Sequence, residues 1–402
     1  MKSVNFFLTD KKNEEEIQNE NISKPKSLCF ITMCKNEEHC ILKTLESVYS
    51  FIDYWIVCDT GSTDKTCEIV TNFFKEKNIP GELFIDEWKG FDKNKTLMFE
   101  RAFNKTDYVL HLDADDFIVG EFKKEWLNNM KEDKFNFNYI RGSCNFITSS
   151  LYNNRIKWMY IGVAHNIIKC IDKPNITTSN YFTKFDFYVD NNERGARRFD
   201  PNKYLNDALK LKDQFFETLY DDPHDLTNRS VFYTGQSYMD SGYFKEAIQW
   251  YRLYTKLKDT WIEEEFESYL RIGRCMIELK LNEENIKLEL NKAIELLPDR
   301  AEAYYCLGKY YNDNLRTDLG YIYLKEAKKK NYDEISKKYI LFINKYNYGK
   351  YINDELSVAC YWTNNGEEGF QLLNEILNDV EFNNNERLLK NKEYFIEKFN
   401  FQ

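Results

Sequence analysis

The sequence predicts an α/β domain built on a parallel sheet, followed by an all-α domain of stacked helix pairs. Three observations carry this. Between residues 28 and 112 short apolar runs alternate with segments of helical period, the pattern of strands joined by crossover helices. The last of those runs stops abruptly at Asp113, Asp115 and Asp116, so a buried strand ends in clustered carboxylates. From Asn202 onward the apolar residues keep a helical period only, and Gly235, Gly273 and Gly308 recur at nearly constant intervals.

Residues 1–26 are polar and charged and close on Lys24-Pro25-Lys26, which reads as a mobile arm with order beginning at Ser27. Strands are expected at 28–33, 55–58, 83–85 and 109–112, and helices at 38–50, 63–77 and 94–103. Such an alternation gives a parallel sheet covered on both faces, and its ligands bind at the carboxyl ends of the strands. The informative residues fall there. The first strand leads into a polar turn, Cys34-Lys35-Asn36-Glu37-Glu38. The second leads into Asp59-Thr60-Gly61-Ser62-Thr63-Asp64, where Gly61 permits a tight turn, Ser62 or Thr63 caps the next helix, and Asp64 complements its dipole. Asp59 precedes the turn and is expected to cap nothing. Its carboxylate is then either free to accept from a base N–H or a ribose hydroxyl, or part of ordinary turn chemistry. The fourth strand ends in carboxylates that repel one another unless a cation lies between them. A hard divalent metal, Mn2+ or Mg2+, suits oxygen ligands and takes its other ligands from water and substrate phosphates, so the cluster points to a diphosphate-bearing substrate. The plainer alternative is a solvated acidic turn.

Composition sets bounds. A chain of 402 residues holds two or three domains, and a net charge of -10 argues against wrapping nucleic acid, which needs a concentrated basic surface. The N-terminal residues lack a signal-peptide core and no later segment is apolar enough to span a bilayer, so a soluble, cytoplasmic protein is expected. The 10 cysteines form no C-x-x-C pair. Cys29, Cys58, Cys144 and Cys170 sit in apolar stretches and read as reduced core thiols.

Four segments, in their order and spacing, resemble family 2 glycosyltransferases of the GT-A fold. They are Ile31-Thr32-Met33-Cys34-Lys35-Asn36-Glu37-Glu38, Val57-Cys58-Asp59-Thr60-Gly61-Ser62-Thr63-Asp64, Phe91-Asp92-Lys93-Asn94-Lys95-Thr96 and Leu112-Asp113-Ala114-Asp115-Asp116. The resemblance implies a Rossmann-like sheet for nucleotide-diphospho-sugars. It places Thr32 and Asp59 against the nucleotide base, Asp113 near the ribose, Asp115 on the metal bridging the donor diphosphate, and Glu37 and Ala114 in the donor site. Family members usually carry Arg where this chain has Lys95, so a bidentate phosphate contact becomes a point contact.

Residues 126–200 are expected to complete this domain with strands at 138–147, 156–160, 163–170 and 181–189. The segment Trp158-Met159-Tyr160-Ile161-Gly162-Val163-Ala164-His165-Asn166 resembles a branch of the same family whose members also carry helical repeats. That branch commonly has Glu after the histidine, whereas Asn166 cannot take a proton. His165 reads as a third metal ligand, a partner of the departing diphosphate, or a structural residue. Beyond it, Arg194, Arg197 and Arg198 surround Gly195 in a local basic loop, which reads as a phosphate grip and lid or as a solvated linker. Asp116, Asp186, Asp190 and Glu193 are the candidates for a catalytic base.

In the helical region Gly235, Tyr238, Gly242, Ala247 and Tyr251 match tetratricopeptide spacing, as do Leu307, Gly308, Tyr311 and Ala327, with a looser copy from Gly273 through Ala293 to Pro298. Residues 331–402 continue as amphipathic helices, with Trp362 and Leu373 facing inward and a loop at 383–385. Such arrays bind peptides or dock partners, so a protein partner is expected there, and surplus aromatics among Tyr238, Tyr243, Trp250, Tyr251 and Tyr254 would form an acceptor surface. The expected organisation is thus an arm over 1–26, a GT-A domain over 27–200 and a tetratricopeptide-like domain over 201–402. The expected activity is metal-dependent, inverting transfer of a sugar from a nucleotide-diphosphate sugar, a UDP-sugar by the resemblance, to a hydroxyl of a glycan or protein. The alternative is a nucleotide-sugar-binding scaffold whose repeats dock a partner. A nucleotidyltransferase would show a Gly-rich phosphate loop, and residues 28–38 contain no glycine.

Overall fold

The computed structural model describes residues 25–142, 144–191 and 194–401, so most of the expected arm and the candidate Glu193 lie outside the described residues. The first part of the chain runs β1 (Leu28–Cys34), α1 (Ile41–Val48), β2 (Tyr54–Asp59), α2 (Thr66–Glu76), β3 (Gly81–Ile85), α3 (Phe91–Ala102), β4 (Tyr108–His111), β5 (Phe117–Val119), β6 (Lys134–Arg141), β7 (Cys144–Asn153), β8 (Trp158–Ile161), β9 (Ile167–Cys170), β10 (Thr178–Ser179) and β11 (Tyr188–Asp190). The main sheet has the order β3-β2-β1-β4-β7-β6-β11-β5, with β10 beside β6, while β8 and β9 form a separate hairpin. Its β3-β2-β1-β4 half is parallel, and β7 joins β4 antiparallel. β1 shows why the sheet is buried on both sides. Leu28 and Phe30 enter a core with Ile41 and Leu45 of α1 and Val70 of α2, whereas Cys29 and Ile31 enter the opposite core with Met98 and Phe99 of α3 and Trp158 of β8.

The expected strand at 138–147 is instead a hairpin. Gly142 takes a φ of 55°, and Arg141 faces Cys144 across the turn. The expected run at 163–170 shortens to β9 because Gly162 and His165 both adopt positive φ, 95° and 48°. Residues 181–184 form a 3-10 turn, which leaves only β11 of the last expected strand.

The rest is helical: α4 (Lys203–Thr218), α5 (Thr227–Asp240), α6 (Phe244–Tyr254), α7 (Ile262–Glu278), α8 (Glu283–Leu296), α9 (Glu302–Asp313), α10 (Thr317–Lys328), α11 (Tyr332–Lys338), α12 (Asn353–Trp362), α13 (Gly366–Leu377) and α14 (Glu386–Phe399). The recurring glycines have one cause. A Cβ on Gly235 of α5, Gly273 of α7 or Gly308 of α9 would strike Tyr251, Leu290 or Leu324 of the following helix, at 3.0, 2.5 and 2.5 Å. Each helix pair therefore closes at the same place, which is the tetratricopeptide-like packing. Leu373 is buried as expected, but Trp362 is 62% exposed at the end of α12.

Between α11 and α12 the chain crosses back over the first helices of the pairs. Glu263 accepts the N–H groups of Ile340 and Leu341 at 2.9 and 2.7 Å. Fully buried Arg300 donates to the carbonyls of Leu341 and Phe342 at 3.0 Å, and Phe342 packs on Phe232 and the Arg271 guanidinium. That face of the array is filled by the chain's own residues 339–344.

Candidate active site

The site is built from the loops at the carboxyl ends of β1, β2 and β4. The first two are stitched together by polar contacts. Asn36, Glu37 and Glu38 donate their N–H groups to Ser62 Oγ, Thr66 Oγ1 and Asp64 Oδ2 at 2.8, 2.8 and 3.1 Å. Of the two alternatives for Asp59, its contacts are those of turn chemistry: its Oδ1 accepts from the N–H groups of Gly61 and Ser62, both at 2.8 Å, and Ser62 Oγ donates to its Oδ2. The carboxylate, 1% exposed, holds the turn it precedes. Thr32 on β1 behaves otherwise, because its hydroxyl is buried without a hydrogen-bond partner, an orphan that a bound ligand would satisfy.

At the end of β4 the three carboxylates have distinct surroundings. Asp113 is half exposed and accepts from Lys95 Nζ of α3 at 2.7 Å. Desolvation by the packed site would raise its pKa, but Lys95 and His111 outweigh that and hold the carboxyl at about 2. Asp115 Oδ2 accepts from the backbone N–H groups of Arg194 and Gly195 at 2.9 and 2.7 Å. Asp116 is buried and accepts from Asn191 Nδ2 at 2.7 Å; burial first, then the charges of Asp113 and Asp115, push its pKa well up. Ala114 is buried, and its carbonyl accepts from Thr44 of α1, which pins the cluster to the helix layer.

The segment 194–199 lies over this cluster as a strap, and its arginine side chains have partners outside the cluster. Arg194 pairs with Asp190 at 2.8 Å, Arg197 pairs with Asp207 of α4 at 2.8 Å, and Arg198 lies over the exposed Phe199 ring. The strap presents its backbone instead. Besides the two N–H groups on Asp115, Ala196 N–H reaches both Glu37 carboxylate oxygens at 3.1 Å. A Cβ on Gly195 would sit 3.2 Å from both Asp115 Oδ2 and Glu37 Oε1, so two carboxylates face one small space. Asp113 and Asp115 offer carboxylate oxygens alone, the donor type that suits a hard divalent ion such as Mn2+ or Mg2+.

His165 is not brought to that space. Its ring stacks on Tyr233 of α5 at 4.1 Å, and Arg229 donates to its carbonyl at 2.8 Å. Desolvation and the charges of Arg229, Arg271, Arg197 and Lys203 push its pKa down. Cationic surroundings disfavour a metal, so the metal-ligand expectation is corrected to a residue of the contact between sheet and helices. Asn166 closes the same turn by donating to the Gly162 carbonyl. Asp186 is corrected as well. β11 pairs antiparallel with β5, Asp190 opposite Phe117 and Tyr188 opposite Val119, so Asp186 lies beyond the far end of that pair, its carbonyl beside Gly120.

His111 is a site residue that the sequence reading missed. Its Nδ1 meets Tyr160 Oη at 3.0 Å, its Nε2 lies 3.7 Å from Asp113 Oδ1, and burial, then Lys95, lower its pKa to about 3. The signal was its place two residues before Asp113, where strand alternation puts both side chains on one side. On the flank of α3 a cavity of about 870 Å³ opens between α3, β8 and α4, walled by Trp88, Phe91, Tyr160, Lys210 and Glu217.

A twisted sheet with a parallel half, an acidic cluster at its carboxyl edge and a strap of backbone amides over that cluster define a GT-A type α/β transferase domain joined to a tetratricopeptide-like array. Residues 29–190 match the family model described as Glycosyl transferase family 2. An uncharacterized glycosyltransferase of Haemophilus influenzae is 26% identical over 216 residues, covering 54% of this chain and 81% of its own. One from Rickettsia bellii is 31% identical over 100 residues, 25% of this chain and 31% of its own. Among solved structures, a tetratricopeptide repeat protein from Parabacteroides merdae aligns with a TM-score of 0.36 and 14% identity over 50% of this chain and 69% of its own. S. aureus TarS 1-349 in complex with UDP-GlcNAc aligns with a TM-score of 0.31 and 14% identity over 76% of this chain and 93% of its own. Residues 29–190 are a family 2 glycosyltransferase domain, and the chain is a glycosyltransferase by that domain.

Proposed function

We propose that the protein transfers a sugar from a nucleotide-diphosphate sugar, a UDP-sugar, to a hydroxyl of a glycan or protein acceptor, with inversion at the anomeric carbon. The observation that supports this best is the convergence of Asp113, Asp115, Lys95 and the backbone of Arg194–Ala196 at the carboxyl edge of the parallel strands. Asp113 and Asp115 would hold a divalent metal, which when bound supplies Lewis-acid stabilisation of the leaving diphosphate. Lys95 adds a point charge beside it. Thr32 offers its free hydroxyl to the nucleotide, while Asp59 keeps the β2–α2 turn in the shape that shelters it. Asp116 serves as general base, oriented beside the donor-facing carboxylates by the Asn191 side-chain amide on its Oδ1. Arg194 holds Asp190 and so fixes the root of the strap, and the cavity beside α3 would admit the acceptor. We place the division between the two domains near residue 200, between β11 and α4, where the last sheet strand is behind and the first long helix ahead.

The test is incubation of the full chain with Mn2+ and a panel of nucleotide sugars, followed by assay of released nucleotide. Release from one donor class, lost on chelation and in Asp115→Ala, is the expected outcome. Release from none of them would overturn the reading.

A further inference from the structure

We propose that Glu37, His39 and Cys40 form a second cation site, for a thiophilic divalent ion of the zinc class. One ligand atom from each, a carboxylate oxygen, an imidazole nitrogen and a thiol sulfur, lies within 4.8 Å of the other two, and among the described residues no other trio of His, Cys, Asp and Glu ligand atoms gathers so closely. The three belong to the turn between β1 and α1, whose backbone is fixed from both sides. Glu37 N–H donates to Thr66 Oγ1 at 2.8 Å, and the Glu37 carbonyl accepts from the N–H groups of Cys40 and Ile41 at 3.0 and 2.9 Å. Cys40 Sγ already donates to Glu37 Oε2 at 3.2 Å. His39 is exposed, its ring edge-on to Phe199. Zinc bonds of about 2.0 to 2.3 Å need the three atoms only about 1 Å closer than this.

Two anions, Glu37 and Asp115, act on the Cys40 sulfur against one cation, Arg194, which leaves the surroundings of the turn net negative for an incoming cation. On binding, the Cys40 S–H bond breaks, its proton leaves to solvent and a sulfur–metal bond forms, with no change of oxidation state. A mixed oxygen, nitrogen and sulfur set takes Zn2+ or Co2+ in preference to Mg2+ or Mn2+, so this site is chemically distinct from the all-oxygen donors at Asp113 and Asp115. It is also linked to the strap. Glu37 accepts from Ala196 N–H at 3.1 Å, and His39 Nε2 donates to the Arg194 carbonyl at 2.7 Å. The Glu37 contact competes with coordination, so an ion here loosens that tether of the strap, whereas an imidazole ligating through Nδ1 keeps its Nε2–H on the carbonyl.

The experiment uses the full chain, stripped of metal with a chelator and titrated with Co2+. A thiolate-to-cobalt charge-transfer band that saturates at one equivalent, is bleached by Zn2+ and survives excess Mg2+ is expected. Cys40→Ser should abolish the band and weaken zinc binding by calorimetry about tenfold or more; His39→Ala should weaken it while Cys34→Ser leaves it intact. A band that persists in Cys40→Ser, or no heat of zinc binding, would overturn the site. Hydrogen exchange at the Ala196 amide reads the link to the strap. Faster exchange with zinc bound supports it, and unchanged exchange in the zinc-saturated protein overturns it. None of these readouts depends on sugar transfer.

Discussion

Asp116 sits beside two other carboxylates with Asn191 as its hydrogen-bond donor, and those surroundings decide what its proton does. Replacing it with Asn keeps the size and the Asn191 contact but removes the ability to take a proton. Asp116→Asn is expected to lower kcat by about a hundredfold or more, the usual range for a general base, with an unchanged melting temperature. A loss below tenfold in a turnover assay would pass the role to Asp190. His111 supplies a pH dependence. Its folded pKa is about 3 against 6.5 unperturbed, so below pH 6.5 the unfolded chain binds a proton that the folded one refuses. Stability is therefore lost as pH falls from about 6.5 toward 3, by up to about 1.4 kcal/mol per pH unit from this residue. His111→Gln should flatten that slope in urea titrations at several pH values; an unaltered slope would mean the ring titrates normally. At this scale the sequence was informative about residue type and less so about partners. The acidic cluster was visible because three carboxylates after an apolar run are rare. That Asp59 ties down its own turn was not, because the same carboxylate could equally have been left free for a ligand.

The strap shows the same limit at the scale of an element. Three arginines in an acidic protein read naturally as a phosphate grip, yet Arg194 and Arg197 are paired with Asp190 and Asp207, and backbone amides meet the acidic cluster. Every residue but proline carries a backbone N–H, so no sequence pattern could have marked these. The arginine variants should consequently separate. Arg197→Ala strips the partner from the nearly buried Asp207 and should lower stability by about 1 kcal/mol, discounted because the guanidinium is 44% exposed, whereas Arg198→Ala should leave the melting temperature unchanged. Equal melting temperatures for the two variants would contradict the pairing. In the repeats the glycine period was legible, and its cause is steric. Gly273→Ala would gain roughly 1 kcal/mol of helix propensity, but a Cβ 2.5 Å from Leu290 forces two packed helices apart, which costs about 1 to 3 kcal/mol. Net destabilisation in chemical denaturation is the expected result, and a stabilised variant would show that α7 and α8 yield freely. The sequence predicts an inward Trp362, but it is the last residue of α12 and stays exposed, with the flexible Lys398 side chain of α14 and the neighbouring Tyr361 against its ring.

Across the whole molecule the two parts hold each other. Gln214 of α4 accepts from Val163 N–H at 2.8 Å, Arg229 of α5 clasps the His165 carbonyl, and α4 walls the cavity beside α3. A fragment ending at residue 200 loses all of these. It should fold by circular dichroism at a lower melting temperature, retain slow donor hydrolysis, and transfer poorly to the acceptor. A folded fragment that transfers as well as the full chain would remove the helical part from acceptor selection. The two-part architecture was legible because the apolar period changes near residue 200, whereas the junction was not, since it depends on main-chain groups such as the His165 carbonyl. The segment 339–344 carries a last consequence. Arrays of helix pairs ordinarily contact only their neighbours and can melt from the ends inward. Here Glu263 grips the backbone at residues 340 and 341, and Arg300 grips it at 341 and 342, across long stretches of chain. Those links close a loop around the middle of the array, so it should lose structure in one cooperative transition, more slowly formed than an open array of the same length because distant residues must meet before any of it is secure.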